Sequence, residues 1–223
     1  TINSEIFFCY FKWHLSSFKH QKSQHHTDRL GKLPNAQLVL SKGYDLLLCT
    51  EDVDEFCLQM MHDYKEKEFK NINAGDLGLE TEEEKKAAEE TANENKDLFE
   101  EIKKALNGKV KEVKVNPTLQ EHPVTLSSEG GISMEMEKVL RKMPGSGDVE
   151  STKVLELNPN HTVFAALKAA HEAGDTAKVD QYAELLYDQS LLIAGLPIED
   201  PVAYAQLVCG LMSKFTPPHP AYK

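Results

Sequence analysis

The most regular hydrophobic pattern lies near the end of the chain, at residues 175–193 and 200–214. In both stretches apolar side chains recur at steps of three and four, which predicts two helices that each carry an apolar face. Asp200 and Pro201 supply an N-cap and a first-turn proline for the second helix. The repeating positions are Val179, Tyr182, Leu185, Leu186, Gln189, Leu192 and Ile193 in the first helix, and Tyr204, Leu207, Val208, Leu211 and Met212 in the second.

This helical hairpin has two sides to cover, and the short stretch of chain before it can bury only one of them. A second copy of the hairpin would bury the other side and close a four-helix bundle across a twofold axis. The periodicity fits a face turned to the chain's own core equally well. We therefore expect either burial within one chain or a homodimer interface made by Tyr182, Leu185, Leu186, Gln189, Leu192, Ile193, Tyr204, Leu207, Val208 and Leu211.

The segment 28–80 has the pattern of a small α/β unit. Residues 44–49 form an apolar run of strand length, and the apolar side chains of residues 53–61 recur at helical spacing. A second short strand is predicted at 68–73, and residues 37–40 are expected to be extended.

Residues 1–27 stay unassigned, because their aromatic side chains cluster without a clear period. A sheet edge followed by a loop is one interpretation. A segment that is disordered or foreign to the fold is the other.

Residues 81–107 predict one long, strongly charged helix. A capping box at Thr81 and Glu84 begins it, and Asn107 with Gly108 ends it. Apolar side chains occur only in its second half, so the first half should stand in solvent. We expect this helix to act as a spacer between two folded units.

Residues 108–215 predict an α+β domain in which short strands precede the terminal helices. Strands are expected at 109–115, 124–127 and 153–157, and a helix at 162–173. The last residues, 216–223, should be irregular because three of them are proline.

A short helix that carries methionines is predicted between the second and third of these strands. Ile132, Met136, Val139, Leu140 and Met143 would share its apolar face. Methionine adapts to ligands of varied shape, although a methionine stripe is more often part of a core. Glycines on both sides favour an element that can detach.

Composition excludes several function classes. The 223 residues include 36 acidic and 25 basic side chains, for a formal net charge of −11, which argues against nucleic-acid binding. No apolar run reaches the length of a membrane span. The four cysteines form no CxxC pair, which is typical of a reduced, cytoplasmic protein.

No side-chain constellation with catalytic or metal-binding spacing presents itself, so no catalytic residue, cofactor site or metal site is predicted. An enzyme hypothesis would have to rest on the acids between Glu51 and Glu55 acting beside His62. Acids at the start of a helix more usually stabilise the helix dipole.

Several stretches, taken together, resemble the heat-shock protein 90 chaperone family in its bacterial HtpG form. They are Leu-Val-Leu-Ser-Lys-Gly-Tyr at 38–44, Thr-Glu-Asp-Val-Asp-Glu at 50–55, Leu-Glu-Leu-Asn-Pro-Asn-His at 155–161, and Leu-Leu-Tyr-Asp-Gln-Ser-Leu-Leu at 185–192 followed by Glu199-Asp200-Pro201. Their order and separations match the family from about residue 28 to about residue 214.

The resemblance implies a division into domains. Residues 28–80 would be the last α/β subdomain of the middle domain, 81–107 the connecting helix and 108–215 the carboxy-terminal dimerisation domain. The family's ATP-binding domain and its middle-domain arginine would lie upstream. ATP and Mg are therefore expected in the parent ATPase and not in this chain, for which no enzymatic activity is expected.

The resemblance also implies partners. Family chaperones present an amphipathic helix to client proteins, and the helix with methionines falls at that place. Its expected client-binding residues are Ile132, Met134, Met136, Leu140 and Met143. A cytoplasmic stress-response chaperone fragment that forms a homodimer and binds unfolded clients is expected, with no nucleic-acid or membrane partner. The alternative is a purely structural dimerisation module without a client surface.

Overall fold

The computed structural model describes residues 6–11, 34–49, 51, 53–64, 67–75, 77–145 and 149–214. Within these ranges the chain has the expected α+β fold, with two small sheets and a set of helices. The strands are β1 (Ile6–Phe11), β2 (Asp45–Cys49), β3 (Asp63–Tyr64), β4 (Lys67–Asn71), β5 (Glu112–Val115), β6 (Val124–Glu129) and β7 (Thr152–Leu157). The helices are α1 (Pro34–Ser41), α2 (Asp54–Met61), α3 (Glu82–Glu94), α4 (Lys96–Ala105), α5 (Met134–Lys142), α6 (Thr162–Glu172), α7 (Thr176–Ile193) and α8 (Pro201–Lys214).

The first sheet has the strand order β2-β1-β4-β3. Strand β1 pairs in parallel with both β2 and β4, so that Cys9 lies opposite Leu47 on one side and Asn71 on the other. The segment that the sequence left unassigned thus supplies an inner strand rather than an edge.

Residues 37–40 are helical, and the expectation of an extended segment was wrong. Pro34 occupies the first helical position, where a proline costs no hydrogen bond. Ala36 and Val39, three residues apart, are both fully buried and pack with Ile72 and Leu79. The apolar spacing that fixes this helix is only one turn long, too short to be distinguished from a strand by periodicity.

The second sheet has the order β5-β7-β6, with β5 parallel and β6 antiparallel to β7. Its strands correspond to the three predicted at 109–115, 124–127 and 153–157. The main core of the chain lies between this sheet and helices α4, α6 and α7. Its most deeply buried side chains include Leu98, Ile102, Leu106, Val124, Leu126, Leu155, Leu157, Leu167, Val179 and Ala183.

The predicted long helix is broken at Asn95, whose backbone leaves helical geometry at φ −116° and ψ 23°. Its start is as expected, with a complete capping box between Thr81 and Glu84. The second half, α4, buries Leu98 and Ile102 in the main core. Only the first half, α3, has no buried side chain, so the spacer interpretation fails for α4.

The α/β unit and the carboxy-terminal part are also joined directly. The Gly75 N–H donates to the carbonyl of Ser128 at 3.1 Å, and the Ser128 N–H donates to the carbonyl of Asn73 at 2.9 Å. Ala74 and Ser128 form a parallel bridge, so the chain just after β4 lies beside β6 as an additional short strand. The two parts therefore share sheet hydrogen bonds as well as the covalent connection.

Asn158, in the stretch that follows β7, organises the loop before β6. Its side chain is 1% exposed, and Nδ2 lies 2.8, 3.3 and 3.0 Å from the carbonyl oxygens of Leu119, Gln120 and His122. Its Oδ1 accepts from the Asn160 N–H at 2.9 Å. A buried amide can satisfy donors and acceptors at once, which explains an asparagine at this position.

Candidate functional site

Helix α7 turns one face into the chain's own core. Val179, Ala183 and Leu186 on this face are all buried, and Leu186 is only 4% exposed. Asp175 caps the helix by accepting from the Lys178 N–H at 3.2 Å. Leu186 was expected at a dimer interface, but its burial by α7's own neighbours leaves almost no surface for a partner.

The opposite side of α7 remains accessible. Tyr182, Leu185 and Gln189 are half-buried, and Leu192 is 52% exposed. Ile193 is half-buried because it lies with Pro34 and Ile72 around a small cavity below the α/β unit. The expected interface positions on α7 therefore divide into one core residue, one residue directed toward the α/β unit and four accessible residues.

Helix α8 is apolar, yet none of its described side chains, residues 201–213, is buried. Val202 and Met212 are 67% and 65% exposed, and the expected interface residues Tyr204, Leu207, Val208 and Leu211 are half-buried. Asp200 caps the helix as predicted, accepting from two backbone N–H groups at 3.0 and 2.9 Å. Neither α8 nor any other helix in the described ranges is long and apolar enough to cross a membrane.

A tight turn joins α7 to α8. Gly195 has φ +70°, a conformation that glycine adopts without strain, and its N–H donates to the Leu192 carbonyl at 3.1 Å. The Leu196 N–H donates to the Leu191 carbonyl at 2.8 Å. These two hydrogen bonds close the turn between the helices.

Helix α5 places the expected client-binding residues in different environments. Met134 is fully buried in the main core and Met136 is only 9% exposed, so neither presents a client surface in this arrangement. Ile132 and Leu140 are half-buried, and Met143 is 49% exposed. The contacts of Ser133 with Glu55 and of Gln59 with Met136 hold this end of α5 against α2, and client contact by the first pair stays a prediction.

The carboxylate of Glu137 fastens α5 to the start of β7. It accepts from the backbone and hydroxyl of Ser151 at 2.9 and 2.6 Å, and from Lys153 at 2.9 Å. Arg141 also lies 3.1 Å from this carboxylate. Burial alone would raise the pKa of Glu137, but the hydrogen bonds from Ser151 and Lys153 prevail and hold that pKa below its ordinary value.

The other end of α5 meets the α/β unit through two buried carboxyl groups. Ser133, the N-cap of α5, donates to Glu55 Oε2 at 2.8 Å, and Asn71 donates to Glu55 Oε1 at 3.1 Å. Asn73 donates to Glu135 Oε1 at 3.0 Å. Glu55 and Glu135 are 4% and 8% exposed, so both carboxyl groups are removed from water.

Burial raises the pKa of Glu55 to about 7, because the loss of hydration, together with the nearby charge of Glu135, outweighs the lowering by the hydrogen bonds from Ser133 and Asn71. Burial also raises the pKa of Glu135. A buried carboxylate loses hydration that a few neutral hydrogen bonds replace only in part, so both acids favour the protonated form. Sequence reasoning missed this junction, since its partners lie 62 and 78 residues apart.

A cleft of about 830 Å³ lies beside Glu55, and His62 lines it too. The enzyme hypothesis required such a cleft. Both oxygens of Glu55, however, accept hydrogen bonds from structural partners, and Asp54 is engaged by the Glu51 N–H at 3.0 Å near the start of α2. Among the described residues no three His, Cys, Asp or Glu side chains are placed to hold a metal ion.

Comparisons with known proteins agree with the resemblance seen in the sequence. The family model described as Hsp90 protein matches residues 22–217. The chaperone protein HtpG of Halalkalibacterium halodurans is 52% identical over 185 residues, which are 83% of this chain and 29% of that protein. The HtpG proteins of Bacillus subtilis and Clostridium botulinum strain Langeland are each 49% identical over the same lengths. The chain thus spans about 29% of the length of these curated relatives, and over that span it belongs to the Hsp90 protein family.

Proposed function

We propose that this chain is the dimerising and client-holding part of an ATP-dependent molecular chaperone. The observation that carries the proposal is α8, an apolar helix none of whose described side chains is buried within one chain. The relatives are named chaperone proteins, which supports the assignment. ATP and Mg would be handled by the portion of the parent protein that corresponds to the remaining length of these relatives, in the cytoplasm.

The proposed dimer pairs the open side of the hairpin with that of a second copy. Burial of apolar surface contributes about 25 cal/mol of favourable free energy for each Å² removed from water, before the cost of association is subtracted. A twofold arrangement buries the same side on both copies and gives a four-helix bundle. With Leu186 and Ile193 assigned to contacts within one chain, the proposed interface is Tyr182, Leu185, Gln189, Leu192, Tyr204, Leu207, Val208 and Leu211.

The proposed client surface is narrower than the sequence suggested. Leu140 on α5 and the flanking residues Ile132 and Met143 keep accessible area, and Met60 on α2 is 81% exposed. Gln59 donates to the sulfur of Met136 at 3.2 Å, so α2 and α5 touch at this point and can offer one surface. Flexible methionine side chains suit non-native segments of varied shape.

A purely structural dimerisation module is the second candidate. The burial of Met134 and Met136 favours it, because these two residues were expected to contact clients. Under this alternative the chain dimerises but has no surface for unfolded protein.

Sedimentation equilibrium tests the dimer. Leu207→Asp should raise the dissociation constant by at least about 100-fold, since burying an unpaired carboxylate costs several kcal/mol. Gln206→Asp is the matched control, because it adds the same charge on the opposite side of α8 at an exposed position. An unchanged dissociation constant in Leu207→Asp would show that α8 is not part of the interface.

Suppression of aggregation of a heat-denatured reporter protein tests the client surface. Met143→Ser should reduce suppression several-fold, whereas Lys142→Ser, at an exposed neighbour on the same helix, should not. If a molar excess of the dimer over the reporter does not slow aggregation, the client surface is refuted and only the structural dimerisation module remains.

A further inference from the structure

Where α5 contacts the α/β unit, the carboxyl oxygens outnumber the hydrogen-bond donors that face them. Ser133 Oγ accepts from the Met136 N–H at 3.0 Å and donates its one hydrogen to Glu55. Asn73 serves one oxygen of Glu135. The other, Glu135 Oε2, is buried and has no hydrogen-bond partner among the described residues. A buried oxygen without a hydrogen-bond partner raises the free energy of an ionised carboxylate. Protonation of that group removes the charge.

Charged groups around the pair do not neutralise it. Lys138, one turn along α5, attracts the charge of Glu135, but burial lowers the pKa of this lysine, and its Nζ donates to the Gly195 carbonyl at 3.3 Å. The cleft beside Glu55 is lined by His62 and Asp63 at the end of α2 and by Glu68 and Lys70 of β4. The cleft thus brings two acids and two bases to the side of Glu55, with no excess of positive charge among them.

We propose that α5 is held on the α/β unit while at least one of the carboxyl groups of Glu55 and Glu135 is protonated, and that ionisation of both carboxyl groups releases the amino-terminal half of the helix. The closed junction holds at least one neutral carboxyl group. Two charges there repel each other and draw water into the contact. Gly130, at φ +94° with open space around it, provides the hinge before the helix.

Release would uncover Met134 and Met136, the two methionines that the closed arrangement hides. Their use by clients rests on the proposed function, whereas the proton-held junction does not. The pKa of Glu55, about 7 against the ordinary 4.5, sets the scale of the effect. One pKa unit corresponds to about tenfold, so ionisation of Glu55 can lower the closed-to-open ratio by about 300-fold at most.

Hydrogen exchange of the 223-residue chain, corrected for intrinsic rates, tests the junction directly at pH 6, 7 and 8. Protection of the α5 amides should fall about tenfold or more between pH 6 and 8. In Glu135→Gln and Glu55→Gln, which keep a neutral side chain of the same size, that fall should shrink to less than about threefold. Glu156→Gln is the matched control: Glu156 is also buried with a raised pKa, yet Ser127 and Asn116 engage its two oxygens away from α5.

Three outcomes would overturn the proposal. The first is protection of α5 that does not change with pH in the unmodified chain. The second is an undiminished fall in both Gln variants. The third is failure of both Gln variants to fold, because neutral side chains at these positions are what the closed junction requires. Client binding can fail in the aggregation assay without affecting any of these measurements.

Discussion

Replacing Asn158 by alanine offers a direct test of how the loop before β6 is built. The side chain is 1% exposed, and its Nδ2 contacts three backbone carbonyl oxygens while Oδ1 accepts from a backbone N–H. Truncation would leave these buried groups without their partner. Each unsatisfied buried group costs about 1–3 kcal/mol, and part of that cost is recovered if water enters the space.

We therefore expect Asn158→Ala to lower the free energy of unfolding by about 3–5 kcal/mol. Urea denaturation followed by circular dichroism measures this free energy. The protein concentration is held constant, because self-association of any protein shifts its apparent stability. Asn160→Ala, at an exposed position two residues away, should change stability by less than about 0.5 kcal/mol. A loss below about 1 kcal/mol in Asn158→Ala would refute the claim that this amide organises the loop.

Three further changes test other parts of the structure. Leu186→Ala should cost about 2–5 kcal/mol of unfolding free energy by leaving a core cavity, whereas an interface role would move mainly the dimer dissociation constant in sedimentation. Ser133→Ala removes the N-cap of α5 and a donor to Glu55, so urea denaturation should show a loss of about 1–3 kcal/mol. Because the folded-state pKa of Glu55 is raised from 4.5 to about 7, its contribution to stability is complete below pH 4.5 and is lost as pH rises through 7. Unfolding titrations should therefore find Glu55→Gln more stable than the unmodified chain at pH 8, by up to about 3 kcal/mol, and no more stable at pH 4.5.

Much of the carboxy-terminal fold was predictable because its signals are local. The spacing of apolar residues in 175–193 and 200–214, with Asp200 as a cap and Gly195 at the turn, determines two helices and their break. Local signals are also sufficient for β6 and β7. They are not sufficient to show which side of α7 faces the core, since that depends on the sheet packed against it.

Two of the differences come from contacts between residues distant in sequence. Met136 shares a helical face with Val139 and Leu140, but Gln59 of α2 contacts its sulfur and the side chain is buried. Asn95 interrupts the charged helix although nothing in its neighbours predicts a break. The Glu55–Ser133 contact joins residues that no sequence motif connects.

The short strand formed by residues 73–75 beside β6 has a mechanical consequence. Backbone hydrogen bonds resist sliding of one strand along its neighbour, and they also resist rotation of the two strands about their contact. A force applied to the α/β unit would therefore be transmitted as shear into β6 and from there into α7, which packs against that strand. Sliding of the two parts past each other would have to break these backbone hydrogen bonds first.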